Sequence, residues 1–158
     1  MQTYKAALIG CSRMGAFIDN EVPPAMRPYS HAAGYEACDR TDLIACADLR
    51  PDAMEQVGTR YSIPADKQYT DYRELLEREK PEIVSIATQP EHRTEIIVAS
   101  AEAGARAIYA EKALCASMAE ADRSVEVCQA HGVALNMGTN RRFDPGYDQM
   151  KAVIDSGQ

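Results

Sequence analysis

No run of apolar residues in this sequence approaches the roughly 20 that a membrane-spanning helix needs. The opening Met1-Gln2-Thr3-Tyr4-Lys5 also lacks the layout of a secretory leader. No membrane partner is expected, and the expected compartment is the cytoplasm. Basic charge is in deficit. A formal net charge of −7 argues against a nucleic-acid partner, because tracking a phosphate backbone takes a basic face that releases counterions. The cysteines (Cys11, Cys38, Cys46, Cys115, Cys128) are odd in number, scattered, and contain no Cys-x-x-Cys pair. That suits a reducing compartment better than a disulfide framework, and most should be small buried hydrophobes. His31, His92 and His131 are far apart and form no zinc-like spacing, so no metal site is expected. Internal repeats, low-complexity tracts and interdomain linkers are absent as well.

What remains is ordinary globular material: 158 residues, 46% hydrophobic and 26% charged, enough for one independent core. Short runs rich in Val, Ile and Ala read as strands buried on both faces: Tyr4 to Ile9, Leu43 to Ala47, Ile83 to Ala87, Ala105 to Ala110 and Val133 to Met137. Helical segments lie between them. The first is Arg13 to Asp19. Asp52 to Tyr61 follows Pro51, a favoured first-turn residue. Asp71 to Glu79 has Thr70 or Asp71 as cap and stops before Pro81, and Glu91 to Ala103 stops at Gly104. Ser117 to His131 opens on the capping-box pair Ser117 and Glu120 and closes at Gly132. Strand and helix in alternation imply parallel pairing with right-handed crossovers. The expected fold is therefore a single-domain α/β structure with a doubly wound, mainly parallel, Rossmann-type sheet and helices on both faces.

One segment breaks the rhythm. Residues 21–29, with three prolines, cannot continue a helix and should form an extended loop, after which Ser30 can cap a helix from His31 to about Cys38. A surface insertion is the plainer reading of this loop, and a lid on the substrate side is the functional one.

The motifs fall at strand ends, where doubly wound sheets bind ligands. Gly10-Cys11-Ser12-Arg13-Met14-Gly15 lies between the first strand and first helix, where backbone N–H groups and a helix dipole favour a pyrophosphate. Gly10 and Gly15 stand at the two structural positions of a Gly-x-Gly-x-x-Gly turn. Ser12 replaces the middle glycine, but it is small and its hydroxyl can donate to a phosphate oxygen. The candidate cradle is therefore Gly10, Ser12, Arg13, Met14 and Gly15. Asp48, at the end of the second strand, is placed to accept hydrogen bonds from an adenosine ribose. It lies farther from Gly10 than the usual spacing of about 20 residues, and the proline-rich insertion accounts for most of the excess. Arg50 just beyond it is the kind of residue that accommodates a 2′-phosphate, so NAD is favoured and NADP stays open. Thr88, Gln89 and His92 follow a later strand, and Glu111 and Lys112 follow the next. On position alone, Lys112 reads equally as a site residue or a solvated loop lysine.

Taken in order, these pieces resemble the nucleotide-binding domain of the Gfo/Idh/MocA oxidoreductases. The resemblance rests on the glycine turn, Ala47-Asp48, Tyr69-Thr70-Asp71-Tyr72-Arg73-Glu74-Leu75-Leu76, Ile86-Ala87-Thr88, Glu111-Lys112-Ala113-Leu114 and Asn140-Arg141-Arg142-Phe143-Asp144-Pro145. It implies an NAD(P) cofactor, with Lys112 as the catalytic lysine near the nicotinamide and the substrate hydroxyl, Glu111 beside the cofactor, and Thr88 and His92 lining it. Ala113 departs from the family's Glu-Lys-Pro pattern and implies a less rigid loop.

The resemblance further implies that residues 1–140 are the dinucleotide-binding domain, and that 141–158 begin a linker helix to a second domain that carries the substrate site and much of an oligomer interface. The implied activity of the longer enzyme is alcohol–ketone interconversion on a sugar, cyclitol or related polyol, with this chain alone binding cofactor and catalysing little. A non-catalytic module that senses a dinucleotide through the same cradle is the competing expectation.

Overall fold

The computed structural model describes residues 2–157. Six parallel strands form one sheet in the order β3-β2-β1-β4-β5-β6. They are β1 (Tyr4–Ile9), β2 (Thr41–Ala47), β3 (Gln68–Tyr69), β4 (Ile83–Ile86), β5 (Ala107–Ala110) and β6 (Ala134–Met137). The helices are α1 (His31–Glu36), α2 (Pro51–Tyr61), α3 (Tyr72–Glu79), α4 (Pro90–Glu102), α5 (Met118–Ala130) and α6 (Pro145–Asp155). The expected doubly wound Rossmann-type sheet is the observed one. β3 was not foreseen, because two residues carry no periodicity to read.

Local chemistry accounts for most helix ends. The Ser30 hydroxyl accepts from the Ala33 N–H at 3.2 Å and starts α1. Asp71 accepts from the Arg73 N–H at 2.8 Å and starts α3. Ser117 and Glu120 form the full capping box of α5, and Gly104 beyond α4 takes a φ of +93°. The first helical segment departs from expectation. It is a wide π turn over Arg13–Phe17 followed by a 3₁₀ turn over Ile18–Asn20, and Pro23 and Pro24 prevent any regular continuation. The insertion is not wholly extended either, since Pro24–Met26 makes a 3₁₀ turn.

Two cores flank the sheet. On one face Ala7, Ile9, Val84, Ile86 and Ile108 pack against Leu75 and Leu76 of α3, Ile96, Ile97 and Ala101 of α4 and Cys128 of α5. On the other, Leu8 and Cys46 pack against Ala32 of α1 and Ala53, Met54 and Val57 of α2. Each fully buried Leu or Ile contributes about 1.5–3 kcal/mol. The two windings cover unequal areas. On the second face α2 lies over the β1–β3 side and α1 reaches β4 and β5 through His31 and Tyr35. This leaves Ala134 and Asn136 of the edge strand β6 exposed, and Met137 is exposed at the end of that strand. That corrects the expectation of burial on both faces for this strand. Cys11, Cys46 and Cys128 are buried, Cys115 is half-buried and Cys38 is exposed.

Candidate functional site

The strand register builds the site. Ile9 pairs with Ala47 and with Ile86, Ile86 with Ala110, and Ala110 with Met137, so the strands end in one row. The ladder runs one bond further. Gly10 N–H donates to Ala47 O, Ala87 N–H to Ile9 O, Glu111 N–H to Ile86 O and Gly138 N–H to Ala110 O, all at 2.7–2.9 Å. Gly10, Asp48, Ala87 and Glu111 therefore stand side by side at the carboxyl edge, with the switch point between β1 and β4.

At β1 the backbone decides the residue type. Gly10 has φ +99°, and a Cβ there would sit 2.7 Å from the Ala87 carbonyl carbon. A Cβ on Gly15 would lie 2.1 Å from the Gly10 carbonyl oxygen, so Gly15 brings the first helical turn down onto the strand end. Ser12, by contrast, has φ −101° and ψ −158°, an ordinary extended conformation that asks for no glycine. N–H groups in the first turn of a helix have no intrahelical acceptor, which leaves them available to an anion. Arg13 engages Glu21 through Nε and Nη2 at 2.8–2.9 Å on the surface, and Met14 faces a second cavity.

Asp48 closes the turn from β2. Its Oδ2 accepts from the Cys11 N–H at 2.7 Å and its Oδ1 from the Arg50 N–H at 2.9 Å. Each carboxylate oxygen keeps a further lone pair for a ligand hydroxyl. The Arg50 guanidinium is engaged by Asp52, with Nη2 to Oδ2 at 2.5 Å. Gly10, Ser12, Asp48, Arg50, Thr88, Gln89 and His92 line one cleft of about 540 Å³. Thr70, just after β3, and Tyr72 and Arg73, in the first turn of α3, also line it. They stand outside the candidate site residues, although they lie in one of the segments that carry the resemblance. The Tyr72 hydroxyl is buried without a hydrogen-bond partner, and the Arg73 guanidinium lies 4.5 Å from the centre of its ring.

Glu111 and Lys112 stand apart from that cleft. Glu111 lines a second cavity of about 440 Å³, together with Met14, Tyr29, His31, Tyr109 and Asn140. Lys112 is exposed beside it. Asp48 on β2 and Glu111 on β5 are three strand spacings apart, roughly 14 Å, a span suited to an extended ligand. Burial alone would raise the Glu111 carboxyl, but the hydrogen bond from His31 and the charges of His31 and Lys112 outweigh it and hold the group below the usual range. Arg93 of α4 is buried and clamps the same loop. Its Nη1 donates to Glu111 O at 2.7 Å and also to Ala113 O, while Nη2 donates to Thr88 O. Burial pushes the Arg93 guanidinium down from its ordinary value. Ala113 thus leaves the loop without a proline ring, and Arg93 restrains it instead. Arg93 had a readable signal: it precedes Ile96, Ile97 and Ser100 on the buried stripe of α4, a place where a charge needs a partner.

Residues 4–139 match the GFO_IDH_MocA family, described as "Oxidoreductase family, NAD-binding Rossmann fold". The chain belongs to this family. Among curated Gfo/Idh/MocA relatives, an inositol 2-dehydrogenase of Salmonella typhimurium is 31% identical over 157 residues, covering 99% of this chain and 43% of its own. A myo-inositol 2-dehydrogenase of Thermotoga maritima is 28% identical over 127 residues, covering 80% and 37%. This chain therefore spans about two-fifths of the length of the curated relatives it matches. Among solved structures, scyllo-inositol dehydrogenase of Lactobacillus casei, with bound NAD(H) and scyllo-inositol, shares the fold at a TM-score of 0.82 and 18% identity, covering 99% and 42%. The chain is thus an NAD-binding Rossmann domain of an oxidoreductase family.

Proposed function

We propose that the domain binds NAD across its strand ends and serves an oxidoreductase that interconverts alcohol and ketone on a cyclitol, sugar or related polyol. The observation that carries this reading is the common row formed by Gly10, Asp48 and Glu111, with Lys112 next to it, along a sheet whose topology reverses at β1 and β4. The cleft fits such a cofactor. Gly10 admits no Cβ because the Ala87 and Thr88 backbone lies against it, which lets the β1 turn sit close to the end of β4, and Gly10 and Ser12 line the open cleft above it. Ser12 and the first-turn N–H groups would hold the phosphates, and Asp48 the adenosine ribose. Tyr72 has a buried hydroxyl still to be satisfied. NAD is favoured over NADP because Asp48 repels a 2′-phosphate while Asp52 occupies Arg50.

Bound nicotinamide supplies the hydride acceptor or donor. The chain's own part is to orient. The Lys112 ammonium would donate to the reacting oxygen and stabilise its developing negative charge. Arg93 holds the carbonyls on either side of Lys112, so the loop needs little rearrangement to present it. Residues 141–158 are read as the start of a linker helix to a second domain. The exposed Tyr147, Met150, Val153 and Ile154 on α6 support this, since they form an apolar stripe that none of the described residues covers.

Titration of the 158-residue chain with NADH, followed by fluorescence or calorimetry, tests the reading. Saturable binding with weaker uptake of NADPH is expected. No NADH binding at millimolar concentration would overturn it.

A further inference from the structure

His31 has no part in the reading above, yet it is the one buried histidine among the described residues and it touches the strand end that carries Lys112. Its Nε2 lies 3.2 Å from Glu111 Oε1, and its Nδ1 lies 3.1 Å from the Ser85 hydroxyl. The Tyr35 hydroxyl is 2.8 Å from that same Ser85 oxygen. An ionised carboxylate only accepts, so Nε2 carries the proton in this contact and donates it. Glu111 Oε2, the other oxygen, accepts from the Lys112 N–H at 3.2 Å. One carboxylate therefore joins the buried imidazole to the backbone of Lys112.

The delivery of His31 to this point is equally specific. Asp19, 2% exposed, accepts from the Tyr29 N–H at 2.8 Å and the Ser30 N–H at 3.0 Å. Ser30 then caps α1, whose first residue is His31. At its other end the proline-rich insertion is tied by Glu21 to Arg13. Both ends of the segment are fixed, and the fixed end nearer the sheet sets where the imidazole goes.

We infer that His31 is a positioning residue for Lys112, acting through Glu111, and that the segment 19–30 is the device that delivers it. A buried carboxylate without a partner is strongly disfavoured. With His31 removed, two cations still act on Glu111, the Arg93 guanidinium and the Lys112 ammonium. Arg93 is engaged by the Glu111, Ala113 and Thr88 carbonyls, so the Lys112 ammonium is the one free to move and would be drawn out of its pose. The inference rests on the proposed role of Lys112 in the oxidoreductase, but it is tested without cofactor.

Reductive ¹³C-dimethylation of Lys5, Lys67, Lys80, Lys112 and Lys151 in the 158-residue chain gives one NMR probe at each lysine, with Lys112→Arg assigning the signal of interest. The Lys112 signal is expected to move in His31→Ala and in Glu111→Gln, by no more in the double variant than in the larger single one. It is expected to return to its wild-type position in His31→Gln, whose amide N–H replaces the Nε2 donor. The other four signals should stay in place, showing an intact fold. Asp19→Ala, which frees the start of α1, should move the same signal.

A Lys112 signal that stays put in His31→Ala, or that moves as far in His31→Gln as in His31→Ala, overturns the inference and leaves His31 a core residue. If His31→Ala does not fold, Ser85→Ala serves instead by removing the Nδ1 partner, and an unmoved Lys112 signal there has the same force. An NADH titration on the same samples separates the two claims. A wild-type chain that fails to bind NADH sinks the proposed function, whereas the Lys112 shifts answer for His31 alone.

Discussion

At the β1–β2 end of the site the backbone does the positioning, whereas at the β5 end side chains from distant segments do it. Gly10 and Gly15 shape the cradle by what they lack, and Asp48 ties it to β2 through the Cys11 N–H. Lys112 is held by no such local geometry. Arg93 grips the carbonyls around it, and His31 grips the carboxylate before it. In the proposed reading the cradle presents N–H groups in a fixed array, which a turn can encode in six consecutive residues. In the same reading a single lysine ammonium is aimed at the substrate, through contacts that come from α1, α4 and β4.

Variants that attack the two ends separately sharpen this contrast. The largest effect is expected from Gly10→Ala, where a left-handed φ and a contact of 2.7 Å with the Ala87 carbonyl carbon both oppose a methyl group. About 4 kcal/mol of stability should be lost in urea denaturation, together with NADH binding. Arg93→Met comes next. It leaves the Glu111, Ala113 and Thr88 carbonyls short of a donor and should cost about 3 kcal/mol, while NADH affinity in the surviving folded fraction stays within about threefold. Equal damage to NADH binding by both variants would erase the distinction between the two ends.

Asp48→Ala is expected to weaken NADH binding about tenfold, the worth of a charged hydrogen bond to a hydroxyl, and to leave NADPH binding nearly unchanged. Paired calorimetric titrations would show it. The smallest effect is a pH dependence. Glu111 is held below its unfolded value of about 4.3, so its ionised form contributes stability that is complete above that pH and is lost as pH falls through the lower folded value. The urea midpoint of the wild type should therefore drop faster than that of Glu111→Gln between about pH 4.5 and 3. Parallel curves would contradict a stabilised Glu111 carboxylate.

The same contrast explains what could be read from the sequence. Five of the six strands are legible as apolar runs, and the tight glycine turn, the place of Asp48 at the end of β2 and the capping box of α5 are legible because each is a local pattern with a local cause. β3 escaped because Gln68 and Tyr69 are too few to show a period, and the first helix was misjudged because an α-helical pattern does not announce a π turn. His31 and Arg93 differ from these. Arg93 announces only that a charge on a buried stripe needs a partner, and the identity of Glu111 and Ser85 as partners of Arg93 and His31 depends on the register of β4 and β5. Pairings assembled across the sheet do not show in a reading that runs along the chain.

The most direct test of the whole arrangement is a crystal structure of the chain with NAD bound. The expected result has the pyrophosphate against Gly10 and Ser12, the adenosine ribose on Asp48, and the nicotinamide end beside Lys112, with the His31–Glu111 contact intact. A dinucleotide bound away from the β1–β4 switch point, or one lying with its adenosine toward Lys112, would contradict it.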